Sequence, residues 1–554
     1  MIVIAVYWLF LFILLLPLGI LAKHVLQLPT QNAVITLLLG IVLLTCGFTL
    51  TAFFFKLGAV NLVCWSALSL ASGIYFKGEV KQLLTNFGTS LKRLPTYSKT
   101  AIAILTVGAL FKSAQYPFIT DNESYYIQTI KWLNQYGFVK GLANLHVFFA
   151  QNSAWHILQA GVNFSFVTNR INDINGFVFL ICTVFCVSES EILTQKTRYW
   201  LGFVPVFSLL LFLFLDVPSP DLPLLVIVPI IVHLFVTEDS NNSNFKIALL
   251  LFIFLVSIKL TILPLGILFV PGLFRKGNIK FALLTGIPIA TLWIAKNTII
   301  SGYPLYPIAY FKTDFDWAIP NNLFNAIISG TADYGYYRDG SLPAGISMTG
   351  KLLLWLQQRD LARIVNIATL LVLGILPFTG ILKNKKYRLV YVALLVNFIA
   401  VLLTSPQFRY FIYITLCGSL LVIAAVYNYF RAKPVYFKFL AIAGTLAAFV
   451  SFVNVGLSDL TRNKLHQEVA QPAVSQIYLP ERTTKLPNLN YLKKTTGNLD
   501  YYSPEYNFFR YGTADGPLPC VNTNQLEYFE KKLGILPQLR GETLTEGFYS
   551  AKIK

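Results

Sequence analysis

Residues 246–274 read KIALLLFIFLVSIKLTILPLGILFVPGLF, and the topology of the whole chain turns on whether this run is one helix or two. As a single span it would send Arg275, Lys276 and Lys280, and after them Lys383, Lys385, Lys386 and Arg388, to the outside of a membrane. Lys and Arg in short loops stay predominantly on the cytoplasmic side. A hairpin turning near Ser257-Ile258-Lys259 keeps both clusters inside, together with Lys77, Lys81, Lys92, Arg93 and Lys99, so the sequence predicts the hairpin. Both termini then face the exterior.

The remainder of the chain has the same character. Its 55% hydrophobic and 12% charged residues, with a mean hydropathy of +0.62 over 554 residues, exclude an ordinary soluble domain. Apolar runs of near-membrane length fall at about 2 to 22, 33 to 54, 57 to 76, 100 to 115, 173 to 190, 199 to 215, 221 to 237, 245 to 258, 261 to 273, 280 to 297, 362 to 382, 387 to 404, 409 to 430 and 436 to 456. They predict an all-α polytopic membrane protein of about 14 transmembrane helices. The run from Ile2 to Ala22 has neither a basic leader nor a small-residue cleavage site, so it is expected to be a retained span. The net charge of +19 sits between the apolar runs, where topology explains it, and no nucleic-acid partner is expected. Cys46, Cys64, Cys182, Cys186 and Cys417 lie in apolar runs and behave as small hydrophobes, while Cys520 has no evident disulfide partner.

The expected organisation is N-terminal helices and a basic cytoplasmic loop over 1–99, a transmembrane core over 100–456, and a small external domain over 457–554. The outer side receives residues 116–172, the turn Asp216-Val217-Pro218-Ser219-Pro220-Asp221, residues 298–361 and the tail. With no Walker-type glycine loop and little cytoplasmic chain, nucleotide-driven chemistry is not expected. The tail alternates short apolar patches with Asn, Thr, Pro and Gly, as a compact domain of short strands and loops does.

The segment Thr120-Asp121-Asn122-Glu123-Ser124-Tyr125-Tyr126 is the richest in chemistry, because a carboxylate at the mouth of a membrane bundle is expensive to keep. From Asn122 to Tyr136, Tyr126, Ile127, Ile130, Leu133 and Tyr136 fall on one helical face and Gly137 follows as a stop, predicting an interfacial amphipathic helix. Thr120 and Glu123 fit a capping box, which puts Asp121 in the first turn where the helix dipole favours its ionised form. Asp121 is then either a base or only a cap. Lys131, His146 and His156 have two readings each: solvated or satisfied polar groups, or contacts to an anionic substrate. Asp216 and Asp221 either join Asp121 in a divalent-cation site or merely bracket a proline turn, so no metal ligand is assigned and the cofactor stays open.

A span ending in an outer loop with an acidic residue, followed by an interfacial helix, resembles the GT-C superfamily of polytopic glycosyltransferases. Two more segments carry the resemblance. Lys296-Asn297-Thr298-Ile299-Ile300-Ser301-Gly302-Tyr303-Pro304-Leu305-Tyr306-Pro307 looks like the Asn-rich helix end and Gly-x-Pro-x-Tyr-Pro turn of many bacterial members, and Ser405-Pro406-Gln407-Phe408-Arg409-Tyr410 like their Pro-x-x-Arg-Phe/Tyr segment, with Tyr in place of the commoner Phe. Asp121 follows the fourth predicted span rather than the first, so three leading helices would be an addition. A resemblance to a largely uncharacterised bacterial membrane protein family within this group rests on Gln128-Thr129-Ile130-Lys131-Trp132, Gly141-Leu142-Ala143-Asn144-Leu145-His146, Pro517-Leu518-Pro519-Cys520 and the segment from Arg540 to Phe548, and spans about residue 100 to the end.

The resemblance implies a GT-C-like glycosyltransferase of the bacterial cytoplasmic membrane, with its catalytic loops and tail facing the periplasm. A sugar would pass from a polyprenyl-phosphate-linked donor to an envelope glycan, lipid or protein acceptor. It implies Asp121 as the base, Arg409 and Lys296 as the holders of the donor phosphate, and Glu123, Lys131, His146, Asn297 and Tyr306 as further substrate contacts. An arginine suits the phosphate because its planar fork binds two oxygens at once. The implied partners are the lipid-linked sugar donor and membrane lipids; protein partners stay unspecified. Alternatives are a lipid-linked saccharide polymerase, a transporter, or a non-catalytic subunit of an envelope assembly machine.

Overall fold

The computed structural model describes residues 1–192, 199–237, 242–338, 342–429, 442, 444–446, 473–505 and 509–553. The protein is mostly helical, with a small C-terminal region of two-stranded sheets. Helices Ile2–Val25 and Ala33–Ala52 form a tight pair at the N-terminus, the second begun by the Asn32 side chain accepting from the Val34 and Ile35 amides at 2.9 and 3.2 Å. A Cβ at Gly19 would stand 1.8 Å from the Thr36 carbonyl oxygen, and one at Gly40 2.2 Å from that of Leu15, so only glycine lets these backbones approach.

Five helices are long and apolar enough to cross a membrane: Ile2–Val25, Ala33–Ala52, Asn278–Ser301, Asp360–Phe378 and Lys385–Thr404. A sixth is added if the pair Ala59–Tyr75 and Lys77–Arg93, bent by 88°, counts as one broken span. Six further apolar helices of 10–17 residues pack among them. At about 1.5 Å per residue these fall short of a hydrocarbon core about 30 Å thick. The described residues therefore support five or six full-length spans rather than about fourteen, and the span expected over 436–456 lies outside the described residues except for 442 and 444–446. Helix Asp221–Val236 is buried on every side, as a helix apolar all round at the centre of a bundle must be.

The run 246–274 breaks at Lys259, whose extended backbone (φ −152°, ψ 114°) separates helix Ser243–Ile258 from a 3₁₀ segment, Leu260–Phe269. The two halves fold back antiparallel: Phe252 and Phe245 stack near Phe269 at 5.2 and 5.7 Å between ring centroids. The stretch expected as a basic loop after residue 76 is instead a helix, Lys77–Arg93. Val80, Leu83, Phe87 and Leu91 recur at helical spacing and lie against the bundle while Lys77, Lys81, Lys92 and Arg93 remain exposed. Contacts join the three basic stretches at one end of the bundle. Lys23 pairs with Glu79, the Asn32 and His233 side chains reach Glu189 at 3.3 and 3.7 Å, Asn242 bonds Asn278, and Lys386 Nζ donates to the Val236 carbonyl at 3.0 Å.

The opposite end carries a second hydrophobic core, drawn from three distant stretches and including Tyr125, Trp132, Phe149, Tyr303, Phe324, Phe529 and Phe548. The tail supplies one of them. Strands β1 (Tyr491–Thr496) and β2 (Leu499–Pro504) pair antiparallel from Tyr491 with Pro504 to Thr496 with Leu499, and β3 (Ile535–Leu539) pairs with β4 (Phe548–Lys552) from Ile535 with Lys552 to Leu539 with Phe548. Backbone bonds lay this region over the chain between residues 114 and 169: Glu481 N to Ala114 O and Thr483 N to Asn169 O at 3.0 Å, and Phe548 N to Lys140 O at 2.9 Å. In consequence helix Ile127–Gln135 is mostly buried under the tail instead of lying free at an interface.

Candidate functional site

Asp121 stands just before a π-helical turn, Asn122–Tyr126, that leads into helix Ile127–Gln135. The wider turn takes Asp121 and Tyr125 out of register with the helix that follows, and such turns recur at functional sites. The Asp121 side chain makes no cap bond, and the Glu123 carboxylate, expected to close a capping box with Thr120, is taken instead by Thr484, Lys485 and Asn122. Asp121 instead forms an ion pair with Arg409, 288 residues away, both side chains about a quarter exposed at 27% and 22%. The residue expected to be the base and the one expected to hold phosphate thus touch each other.

Arg409 lies in a short 3₁₀ turn, Phe408–Tyr410, between helices Lys385–Thr404 and Ile412–Tyr429. The loop before it is pinned by the segment between Gly335 and Trp355: Trp355 Nε1 donates to the Pro406 carbonyl at 3.0 Å, and a Cβ on Gly335 would meet Pro406 Cδ at 2.8 Å. Arg409 Nε donates to Gln407 Oε1 at 3.0 Å and Nη1 to Asp121, which among the described residues leaves three of the guanidinium's five N–H groups for another anion.

A second ion pair adjoins the first. Asp221, the first residue of its helix, pairs with Lys259 at the hairpin turn, and the Lys259 ammonium sits 4.1 Å from the centroid of the Tyr410 ring. Asp121, Arg409, Tyr410 and Asp221 all lie close enough to act on the Tyr125 phenol. Asp216 pairs with Lys112, so each of the two aspartates weighed as cation ligands already has a lysine. Among the described residues no group of three or more His, Cys, Asp or Glu side chains could hold a metal ion.

Lys296 is buried near the end of helix Asn278–Ser301 and donates to the Asn152 carbonyl; no carboxylate pairs with it among the described residues. His156 is fully buried with both ring nitrogens unpartnered, 4.6 Å from the Tyr126 ring between centroids. Burial, and after it the Lys296 charge, hold its pKa down to about 3 against the pull of Asp121, so it is a neutral imidazole. Asn297 reaches the Pro304 and Tyr306 carbonyls at 3.3 and 3.4 Å and so shapes the turn that buries Tyr306. That turn begins at Gly302 with φ 74°, where a Cβ would stand 2.3 Å from Ala318 Cβ.

Three residues expected at a substrate are occupied by the tail. Glu123 accepts from Thr484 Oγ1 at 2.6 Å, the Lys485 amide at 3.1 Å and Asn122 Nδ2 at 3.1 Å, and its own carbonyl receives the Thr513 and Ala514 amides at 2.9 and 2.7 Å. Burial raises its pKa and these hydrogen bonds partly offset the rise. Lys131 pairs with Asp515 at 2.5 Å and donates to the Asp515 and Gly516 carbonyls at 3.0 Å. His146 Nε2 donates to the Tyr511 carbonyl at 3.0 Å while Nδ1 accepts the Phe148 amide at 3.2 Å, and burial lowers its pKa to about 4. All three act in the clamp between loop and tail. Asp221 thus enters the cluster as the partner of Lys259 rather than as a cation ligand, and a lone Lys inside an apolar run is the sequence signal for that pair.

The clustered groups comprise two carboxylates, Asp121 and Asp221, each paired with a cation, Arg409 and Lys259. The buried amine of Lys296, with no carboxylate among the described residues, adds a further basic group beside several tyrosines, at the ends of apolar helices. Such a place can hold an anion and, when Arg409 turns to that anion, free a carboxylate.

Residues 1–416 match the family described as Domain of unknown function (DUF8201), and the chain belongs to that family. The match takes in the three leading helices and ends before the tail. No curated protein and no solved structure matches the chain.

Proposed function

We propose that this protein is a membrane glycosyltransferase, moving a sugar from a polyprenyl-phosphate-linked donor to an envelope acceptor at the outer face of the bacterial cytoplasmic membrane. The observation that carries the reading is the meeting of Asp121 and Arg409 beside a second ion pair, Asp221 with Lys259. The donor phosphate takes the free N–H groups of Arg409, with Lys296 as a second cation, and this loosens the arginine's hold on Asp121. Asp121 then accepts the proton of an acceptor hydroxyl as its oxygen bonds the anomeric carbon. The carbon–oxygen bond to phosphate breaks, its electron pair leaves with the phosphate, and the two cations meet the charge that develops there.

Transport of the same lipid-linked saccharide would want ionisable groups near the middle of the bilayer. Here Lys296 stands near the end of the membrane-length helix Asn278–Ser301 and Arg409 follows the end of another, Lys385–Thr404, which favours chemistry at a surface. The test is transfer of labelled sugar from polyprenyl-phosphate donors in membranes holding equal amounts of protein. Asp121→Asn should lower transfer by roughly a hundredfold or more, the scale of general-base loss; undiminished transfer removes the catalytic assignment.

A further inference from the structure

A cavity of about 590 Å³ lies apart from the charged cluster and shares no lining residue with it. It is bounded by Ile127, Ile130, Lys131 and Asn134 of the helix that follows Asp121, by the loop of residues 163–172, by the helix connection at residues 56–60, and by Thr483 and Asp515 of the tail. Its size suits a small organic ligand. We propose that it binds a neutral saccharide displayed at the membrane surface. Under the proposed function that saccharide is the acceptor glycan, an identification that rests on that reading; the binding itself does not.

The chemistry of the walls decides the class. Gln135, Ser165, Thr168 and Asn169 are among the lining residues; Gln135, Ser165 and Asn169 are exposed, and the four side chains make no hydrogen bond to the protein among the described residues, so their amide and hydroxyl groups are available at the cavity's rim as donors and acceptors. That is the complement of a ring of sugar hydroxyls. Phe166, 51% exposed, adds an aromatic face of the kind that packs on the apolar side of a pyranose. Charge argues against an anionic ligand: Lys131 and Asp515 neutralise each other on the wall, and Lys56 is the one remaining cation among the lining residues. Phe54 and Phe55 follow the membrane-length helix Ala33–Ala52, and Val60 (79% exposed) lies in the first turn of helix Ala59–Tyr75 on the cavity's edge, where a lipid surface would meet them.

The test uses the full chain in lipid nanodiscs, titrated by calorimetry with N-acetylchitotetraose, maltotetraose and mannotetraose, and separately with glycerophosphoglycerol as a lipid-headgroup probe. At least one tetrasaccharide should bind, about tenfold or more weakly to Phe166→Ala and to the double variant Gln135→Ala, Asn169→Ala. No binding of any tetrasaccharide, binding that ignores these substitutions, or preference for the phosphoglycerol that depends on Lys56 would each overturn the proposal. Sugar binding in a protein that transfers no sugar defeats the proposed function alone, and transfer without binding in this cavity defeats the saccharide site alone.

Discussion

Asp121 and Glu123 are two residues apart and meet opposite fates. Asp121 keeps about a quarter of its side chain exposed and has one partner, an arginine with hydrogen-bond donors to spare. Glu123 is fully buried, its carboxylate taken by Thr484, Lys485 and Asn122. The charged cluster at the bundle end is loosely held and open to exchange of partners, whereas the loop–tail clamp is saturated. A carboxylate's chemistry follows from what its partners leave unused, and a saturated one is a fastener.

The sharpest break in that comparison comes at the clamp. Glu123→Ala strands the Thr484 hydroxyl, the Lys485 amide and the Asn122 amide in a buried site, which should lower unfolding stability by about 3 kcal/mol. Limited proteolysis should then release the tail at concentrations that leave the wild type intact.

Acid should loosen the same region. His146 and His156 have pKa values held down to about 4 and about 3, against 6.5 for a free imidazole. The unfolded chain therefore takes up protons that the folded one refuses as pH falls below 6.5, so the stability these residues contribute is complete above that value and is lost on the way down to the folded pKa. Each should remove about 2 kcal/mol by pH 5. Thermal unfolding across pH 7 to 5 checks this, and His156→Phe should flatten the dependence.

At the cluster, Arg409→Lys keeps the charge but loses the planar fork, so donor use should weaken by roughly tenfold, more than screening of a quarter-exposed pair would allow. Initial rates against donor concentration measure it, and unchanged rates would mark Arg409 as a helix-end residue that merely reaches toward headgroups.

Much of the bundle was legible because charge inside an apolar run is costly. The basic clusters at Arg275 and Lys383 predict the break near Lys259, and the chain does fold back there, the Lys259 ammonium met by Asp221. The helix Lys77–Arg93 was missed because its charges were weighed and its apolar spacing of Val80, Leu83, Phe87 and Leu91 was not. The Asp121–Arg409 pair joined two residues that had been chosen separately, but nothing local could show that they touch. The clamp was illegible for a different reason. Glu123, Lys131 and His146 look the same in sequence whether solvent, substrate or a tail more than 300 residues away satisfies them.

The most direct test sets Asp121→Asn beside Glu123→Gln in one preparation, measuring sugar transfer per folded molecule and thermal stability for each. The account predicts that Asp121→Asn loses transfer by roughly a hundredfold with a stability change below about 1 kcal/mol, the scale of a partly exposed ion pair. Glu123→Gln should keep near-normal transfer per folded molecule and lose stability instead. Full transfer by Asp121→Asn, or none by the wild type, would contradict the account.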